Sequence, residues 1–264
     1  TTVQLNPLLR MDLVEYKLIK EKSFRRHPWE QTRMQFLFFL LDRLPNKNNF
    51  ADTGSGDGYL ASGIATRYPD ARVTAIDINY TDELKKELNV AKPANLRYTR
   101  DLQVIPDHPP ADAIILMDVL EHIEKPEVLL KELLTLNAVN NDTRFIITVP
   151  AFQQLFSIHD KNLGHYRRYN LKQLEQLLSP LSLRMENSGY FFNSLLPVRY
   201  LQKQFEKNKP VQNKDSIHNW KGGTLITRLL RSVFWIEFKI TWYLARLGIK
   251  IPGLTCYCIC RYAP

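Results

Sequence analysis

The stretch Phe50-Ala51-Asp52-Thr53-Gly54-Ser55-Gly56-Asp57-Gly58 reads as an apolar strand that runs into a glycine-rich loop, with a helical run opening at Tyr59. Glycines let the chain turn tightly and let a ligand approach backbone where a Cβ would clash. Gly-x-Gly-x-Gly alone is a weak signal, and its surroundings strengthen it. About twenty residues on, Val73-Thr74-Ala75-Ile76-Asp77 is a second strand ending in an acid, suited to accept hydrogen bonds from both hydroxyls of a ribose. A third strand ends near Asp101-Leu102, which suits an adenine edge and face. Ligands of open α/β sheets bind beyond the carboxyl ends of the strands, where Asp52, Asp77 and Asp101 all fall.

The same rhythm extends outward. Strands are predicted at 49–53, 72–78, 96–100, 113–117, 144–149, 183–191 and 254–262, with helices at 59–67, 82–89, 126–136 and 171–178. Asn170 is a suitable N-cap for the last helix, and Pro180 stands where it should stop. Alternation of this kind belongs to an α/β chain with a seven-stranded, doubly wound and mostly parallel sheet. Residues 8–44 look helical and end in the apolar run Phe36-Leu37-Phe38-Phe39-Leu40-Leu41; residues 193–250 separate the last two strands and include a polar, mobile-looking stretch at 207–223. The expected organisation is an N-terminal helical cap (1–48), a nucleotide-binding core (49–192), a helical insert (193–250) and a closing strand of the core (251–264).

With those motifs in view, the chain resembles the class I, Rossmann-like S-adenosylmethionine methyltransferases, of the type 11/12 kind. The resemblance rests on Asp52-x-Gly54-x-Gly56-x-Gly58, Asp77, Asp101-Leu102 and the fourth-strand sequence Asp112-Ala-Ile-Ile-Leu-Met-Asp118-Val-Leu-Glu121-His122-Ile123. It implies S-adenosyl-L-methionine as methyl donor and S-adenosyl-L-homocysteine as product. It further implies that Gly54, Ser55 and Gly56 line the methionine moiety, Asp77 and Ile78 the ribose, Asp101 and Leu102 the adenine, and Met117, Asp118 and Val119 the sulfonium. It also implies an antiparallel last strand, so an insert before that strand starts and ends at the cofactor's edge of the sheet. A nicotinamide enzyme is the alternative on the same fold, but its loop is usually Gly-x-Gly-x-x-Gly, and here the third glycine comes one residue early and Tyr59 follows it.

Methyl transfer is an in-line displacement whose leaving group needs no acid, so the protein positions the acceptor and at most removes a proton from it. Candidate bases are His159 and His165 in the loop after the fifth strand, and His122 after the fourth. Tyr166, Arg167, Arg168 and Tyr169 offer phenols and guanidinium groups to an acceptor. The Asn/Asp-Pro-Pro-aromatic sequence common in methyltransferases of base amino groups is replaced by Met117-Asp118-Val119-Leu120, which favours an oxygen or carbon acceptor.

The net charge is +9, and residues 199–264 carry all of it, with 12 Lys/Arg against Glu206, Asp215 and Glu237. An anionic partner is implied. Segment 224–247 contains no Pro or Gly, and a helix wheel gathers Arg228, Arg231, Lys239 and Arg246 with Trp235 and Trp242 in a sector of roughly 80°. Two readings follow: cations and indoles at the head-group level of an anionic membrane, or a helix packed on the core with its charged stripe in water. The acceptor expected is a hydrophobic or amphiphilic small molecule, lipid-linked, quinone-like or polyketide/aryl-polyene. An RNA methyltransferase gripping phosphates with the basic tail and a catalytically silent cofactor-binding protein are the competing readings; with no recognisable RNA-binding module, nucleic acid is disfavoured. Cys256, Cys258 and Cys260 alternate on one strand face, which argues for core residues in a reducing compartment rather than disulfides or a metal site, and no metal is expected. Thr1-Thr2-Val3-Gln4-Leu5 lacks a basic flank before an apolar stretch, so no secretory signal is expected, and the location expected is cytoplasmic or peripheral on the inner membrane face.

Overall fold

The computed structural model describes residues 25–205, 220 and 222–264. Seven strands form one sheet in the order β3-β2-β1-β4-β5-β7-β6. They are β1 (Asn49–Thr53), β2 (Arg72–Ile76), β3 (Leu96–Thr99), β4 (Ala113–Met117), β5 (Arg144–Pro150), β6 (Leu183–Phe191) and β7 (Thr255–Tyr262). β1 to β5 pair in parallel, and β7 is antiparallel to both β5 and β6. Eight α-helices are described: α1 (Pro28–Leu41), α2 (Tyr59–Arg67), α3 (Asp82–Leu88), α4 (Pro126–Leu134), α5 (Ile158–Asn162), α6 (Leu171–Leu178), α7 (Leu195–Phe205) and α8 (Thr224–Arg246). This is the doubly wound, Rossmann-like methyltransferase architecture with an antiparallel last strand.

The central strands β1 and β4 are buried at every residue, as strands covered on both faces must be. β2 stops at Ile76, earlier than the apolar run suggests; Asp77 N still donates to the Thr99 carbonyl of β3 at 3.1 Å, while its carboxylate accepts from the glycine loop. The cysteines behave as their spacing predicts: all three are buried free thiols on one face of β7, while Tyr257 points to the opposite core. Of the N-terminal helical region expected at 8–44, the described part is α1; residues 1–24, and nearly all of the polar stretch 207–223, lie outside the described residues.

α1 and α8 cover the β6–β7 end of the sheet together. Phe36 lies 4.9 Å from Phe191 and 5.0 Å from Phe238 between ring centroids, and Phe39 lies 5.2 Å from Trp242. Trp242 stacks on Tyr257 at 5.7 Å. Each such aromatic pair adds about 0.5–1.5 kcal/mol beyond its buried area. The packing corrects the wheel reading of α8. Trp242 is buried and Trp235 packs on Phe39, so the indoles serve the core rather than a head-group layer. Lys239 Nζ sits 4.3 Å from the Phe39 ring, at the core's margin. A wheel counts residue types but cannot know which sector meets a neighbour. Here the aromatic sector met the rings of α1 and β7, and the face left outward is apolar instead of charged.

Because β6 runs parallel to β5 and β7 returns antiparallel, residues between them leave and re-enter at the carboxyl edge. α7 therefore lines the same cavity as the glycine loop, while α8 packs on α1 and β6.

Candidate functional site

Gly54, Gly56 and Gly58 all have positive φ, at 75°, 54° and 77°. A Cβ on Gly54 would lie 2.6 Å from Val119 Cγ2, so the loop is pressed against the end of β4. Gly54 N and Ser55 N donate to the Ile76 carbonyl at 2.8 and 3.0 Å, and Gly56 N donates to Asp77 Oδ2 at 2.9 Å. Burial raises the Asp77 carboxyl above its ordinary range, and its bonds from Asn79 and Gly56 act against that. Asp52 lies behind the loop, wholly buried, and accepts from Ser55 Oγ at 2.7 Å. Burial pushes its carboxyl up to about 7.

The loop opens into a cavity of about 960 Å³. Binding sites for drug-sized ligands span about 300–1,000 Å³, so this one can hold a nucleoside-sized cofactor together with an acceptor. Gly54, Ser55, Gly56, Asp77, Ile78, Asp101, Leu102, Met117, Asp118 and Val119 line it. Asp52 and Gly58 do not. Asp52 braces Ser55 from beneath, and Gly58 makes the left-handed entry into α2 against the Tyr98 ring. The cradle suits S-adenosylmethionine: a loop with no side chains at its close approaches, a carboxylate at the end of β2 and another at the end of β3.

At the end of β4, next to the Val119 that this loop meets, Asp118 has φ 56° and accepts from Thr148 Oγ1 at 3.0 Å. Its other oxygen meets Arg33 Nη2 of α1 at 2.5 Å. Arg26 pairs with Asp57 on the opposite side. Arg26, just before α1, and Trp29, Glu30 and Arg33 of α1 thus form part of the wall, and α7 contributes Leu195, Val198, Arg199 and Gln202. No motif marks these helix residues; their contribution depends on which face docks.

The loop after β5 carries the densest polar network. Asp160, wholly buried, accepts from Arg168 Nε at 2.8 Å and Nη2 at 3.1 Å, and from Ser157 N and Oγ at 2.9 and 3.0 Å. His165 Nδ1 lies 3.1 Å from Asp160 Oδ1, so Nδ1 carries the proton and Nε2 is the ring's accepting atom. Burial would raise Asp160, but its bonds to His165 and Arg168 outweigh this and hold it well below the usual carboxylate range.

His122 packs edge-on against His165 at 4.5 Å. Burial pulls His122 down to about 4 and lowers His159 as well, so both are uncharged at neutral pH. His122, His159, His165 and Arg168 all line the cavity. Tyr166, Arg167 and Tyr169 are not among its walls, contrary to the sequence expectation. Arg167 donates to the Glu124 carbonyl at 2.6 Å and Tyr169 Oη to the Leu120 carbonyl at 3.3 Å. Both side chains are thereby bound to the turn at 120–124, where the Leu120 carbonyl also accepts from Ile123 N at 3.4 Å. Arg168 faces the cavity but is committed to Asp160.

Glu121 is fully buried, and burial, with Asp118 beside it, pushes its carboxyl well above the usual range. Glu121, His122 and His165 bring one ligand atom each within 4.8 Å of one another, the cluster with metal-site spacing found among the described residues. A neutral Glu121 carboxyl is a poor ligand until it loses its proton.

A family model described as a methyltransferase domain matches residues 22–207. Among solved structures, the plantazolicin methyltransferase BpumL, in complex with a triazolic desmethylPZN analog and SAH, is 15% identical. It aligns over 98% of this chain and 92% of its own, with a TM-score of 0.53. A SAM-dependent methyltransferase from Archaeoglobus fulgidus is 14% identical over 93% of this chain and 99% of its own, at a TM-score of 0.51. At such identities the likeness is one of fold. No curated protein matches the sequence. Glycine cradle, strand-end carboxylates, sheet order and family match converge: the chain belongs to the methyltransferase-domain family and is a class I, S-adenosylmethionine-dependent methyltransferase.

Proposed function

We propose that the enzyme methylates an oxygen or carbon nucleophile on a hydrophobic or amphiphilic small molecule: a lipid-linked, quinone-like or polyketide/aryl-polyene intermediate. The observation that carries this reading is the two-sided cavity. Trp29, Leu163, Phe192, Leu195, Val198 and Leu254 offer an apolar wall, while His122, His159 and His165 stand near the strand end implied to face the sulfonium. Bound S-adenosylmethionine supplies an electrophilic methyl group. The chain's own residues hold the acceptor against the apolar wall, exclude water and take its proton. His165 is the base, because Asp160 fixes its tautomer and leaves Nε2 to accept. His122 and His159, kept neutral by burial, shape the polar end of the wall. Asp52, Gly54, Ser55, Gly56, Gly58, Asp77, Ile78, Asp101, Leu102 and Met117 to Val119 form or brace the donor site. Such an acceptor partitions into bilayers, so the enzyme is expected to work on the cytoplasmic side at a lipid surface.

The test is transfer of a tritiated methyl group from S-adenosylmethionine into a total cell extract, followed by organic–aqueous partition. The label is expected in the organic phase. His165→Gln should lower the rate by about 10²–10⁴-fold while cofactor binding holds within a factor of two. Label confined to RNA, or an unimpaired His165→Gln enzyme, would sink the proposal.

A further inference from the structure

α8 buries one face in the aromatic core through Phe234, Phe238, Thr241 and Trp242. Its opposite face is exposed and yet apolar. At about 100° per residue, Leu225, Leu229, Val233, Ile236, Ile240 and Leu247, with Tyr243, fill one sector of about 80°, and no other α8 residue falls in it. Leu225 is 80% exposed, Leu229 65%, Ile236 57% and Leu247 76%. At about 1.5 Å per residue the stripe is roughly 33 Å long. A soluble monomer rarely shows a continuous apolar band of this extent.

Charge is distributed along the stripe with a clear bias. Arg228 and Arg246 are exposed and run along one flank with Lys239, while Arg231, its Nε buried, turns towards the core. Beyond the other flank stands Glu237, α8's sole acidic residue, and it is turned inward to accept from Ser194 N at 3.0 Å. That bond ties the middle of α8 to the start of α7, which exposes Val198, Leu201 and Phe205. Val198 also lines the cavity. No described helix is long and apolar enough to cross a membrane. A greasy stripe with a cationic border and no outward acid matches a helix lying in the bilayer interface, its apolar side sunk about 5–10 Å.

We infer that α8 docks the enzyme on a bilayer containing anionic phospholipid, through the Leu225–Leu247 stripe rather than through its tryptophans, with α7 at the cavity beside it. In respect of acceptor delivery this rests on the function proposed above; the docking itself does not.

The full chain is sedimented with sucrose-loaded vesicles of phosphatidylcholine alone or with equimolar phosphatidylglycerol. Strong retention on the mixed vesicles is expected, with at least about tenfold less on phosphatidylcholine and a steep loss with salt. Ile236→Ser/Ile240→Ser, at two exposed positions of the stripe, should weaken retention by about tenfold or more. Arg228→Glu/Arg246→Glu should weaken it similarly. Both variants should keep the wild-type melting temperature and bind S-adenosylmethionine as before, which separates lost docking from a lost active site. No retention by the wild type, or full retention by the serine variant, would overturn the inference. So would a wild-type dimer in light scattering that becomes monomeric in the serine variant, since a second copy would then be what covers the stripe.

Discussion

Replacing Asp160 by Asn removes one charge from the buried network after β5 and leaves the shape nearly unchanged. Asp160 receives five polar contacts at 2.8–3.1 Å, two of them from a guanidinium that is itself 7% exposed at its side chain. Asn offers one accepting oxygen where two served, and its NH₂ group faces donors. Arg168 would keep its charge, with the Ala151 carbonyl at 3.3 Å as its remaining partner. Removing one member of a buried ion pair costs about 3–5 kcal/mol, because the other is left uncompensated. The Ala151 contact and the retained amide oxygen set the expectation at the lower end, about 3 kcal/mol. For a chain of this size that is a fall in melting temperature of roughly 6–12 °C. Urea unfolding should give a lower midpoint with an unchanged slope. The variant should also lose turnover, since His165 loses the acceptor that fixes its tautomer, while cofactor affinity stays near wild type. Replacing Arg168 by Met in the Asp160→Asn background should recover part of the stability but none of the turnover. A stability change below about 0.5 kcal/mol would refute the reasoning, because that is the range of an ordinary surface substitution.

Gly54→Ala should weaken S-adenosylmethionine binding by at least tenfold in calorimetry. The left-handed backbone costs an alanine roughly 1–2 kcal/mol, and its Cβ would meet Val119 Cγ2 at 2.6 Å; unchanged affinity would mean that the loop's close approach to β4 does not shape the site. Asp52→Asn should stabilise the cofactor-free protein increasingly between pH 4 and pH 7. The folded carboxyl titrates near 7 against an ordinary value of 3.8, so the wild type loses stability as pH rises through that window and levels off above it. At about 1.36 kcal/mol per pH unit the difference should approach roughly 4 kcal/mol at pH 8, and equal urea midpoints for the two proteins at pH 5 and pH 8 would disprove the burial argument.

Donor chemistry could be read directly from residue order, because it depends on local conformation. Glycines at 54, 56 and 58 are needed wherever a strand turns under a ligand, and an acid at 77 follows one crossover later whatever the rest of the chain does. Strand periodicity likewise determined the sheet, including the cysteine face of β7, since alternation fixes which residues share a face. Acceptor chemistry was legible only in part. His122, His159 and His165 were found as candidate residues, but nothing local distinguishes them; the ranking came from Asp160, which the 157–168 fold brings under His165 and not under the others. Tyr166, Arg167 and Tyr169 looked like substrate groups until the carbonyls of the turn at 120–124 claimed two of them. Arg33 and Arg199 carry no signal at all, since a helix residue becomes part of a site only when its face docks there. The same limit governed α8. Its sequence announced an amphipathic, basic helix, yet which sector faced the core depended on the rings of Phe36, Phe39 and Tyr257. Packing against those rings turned the tryptophans inward and left the Leu225–Leu247 stripe outside.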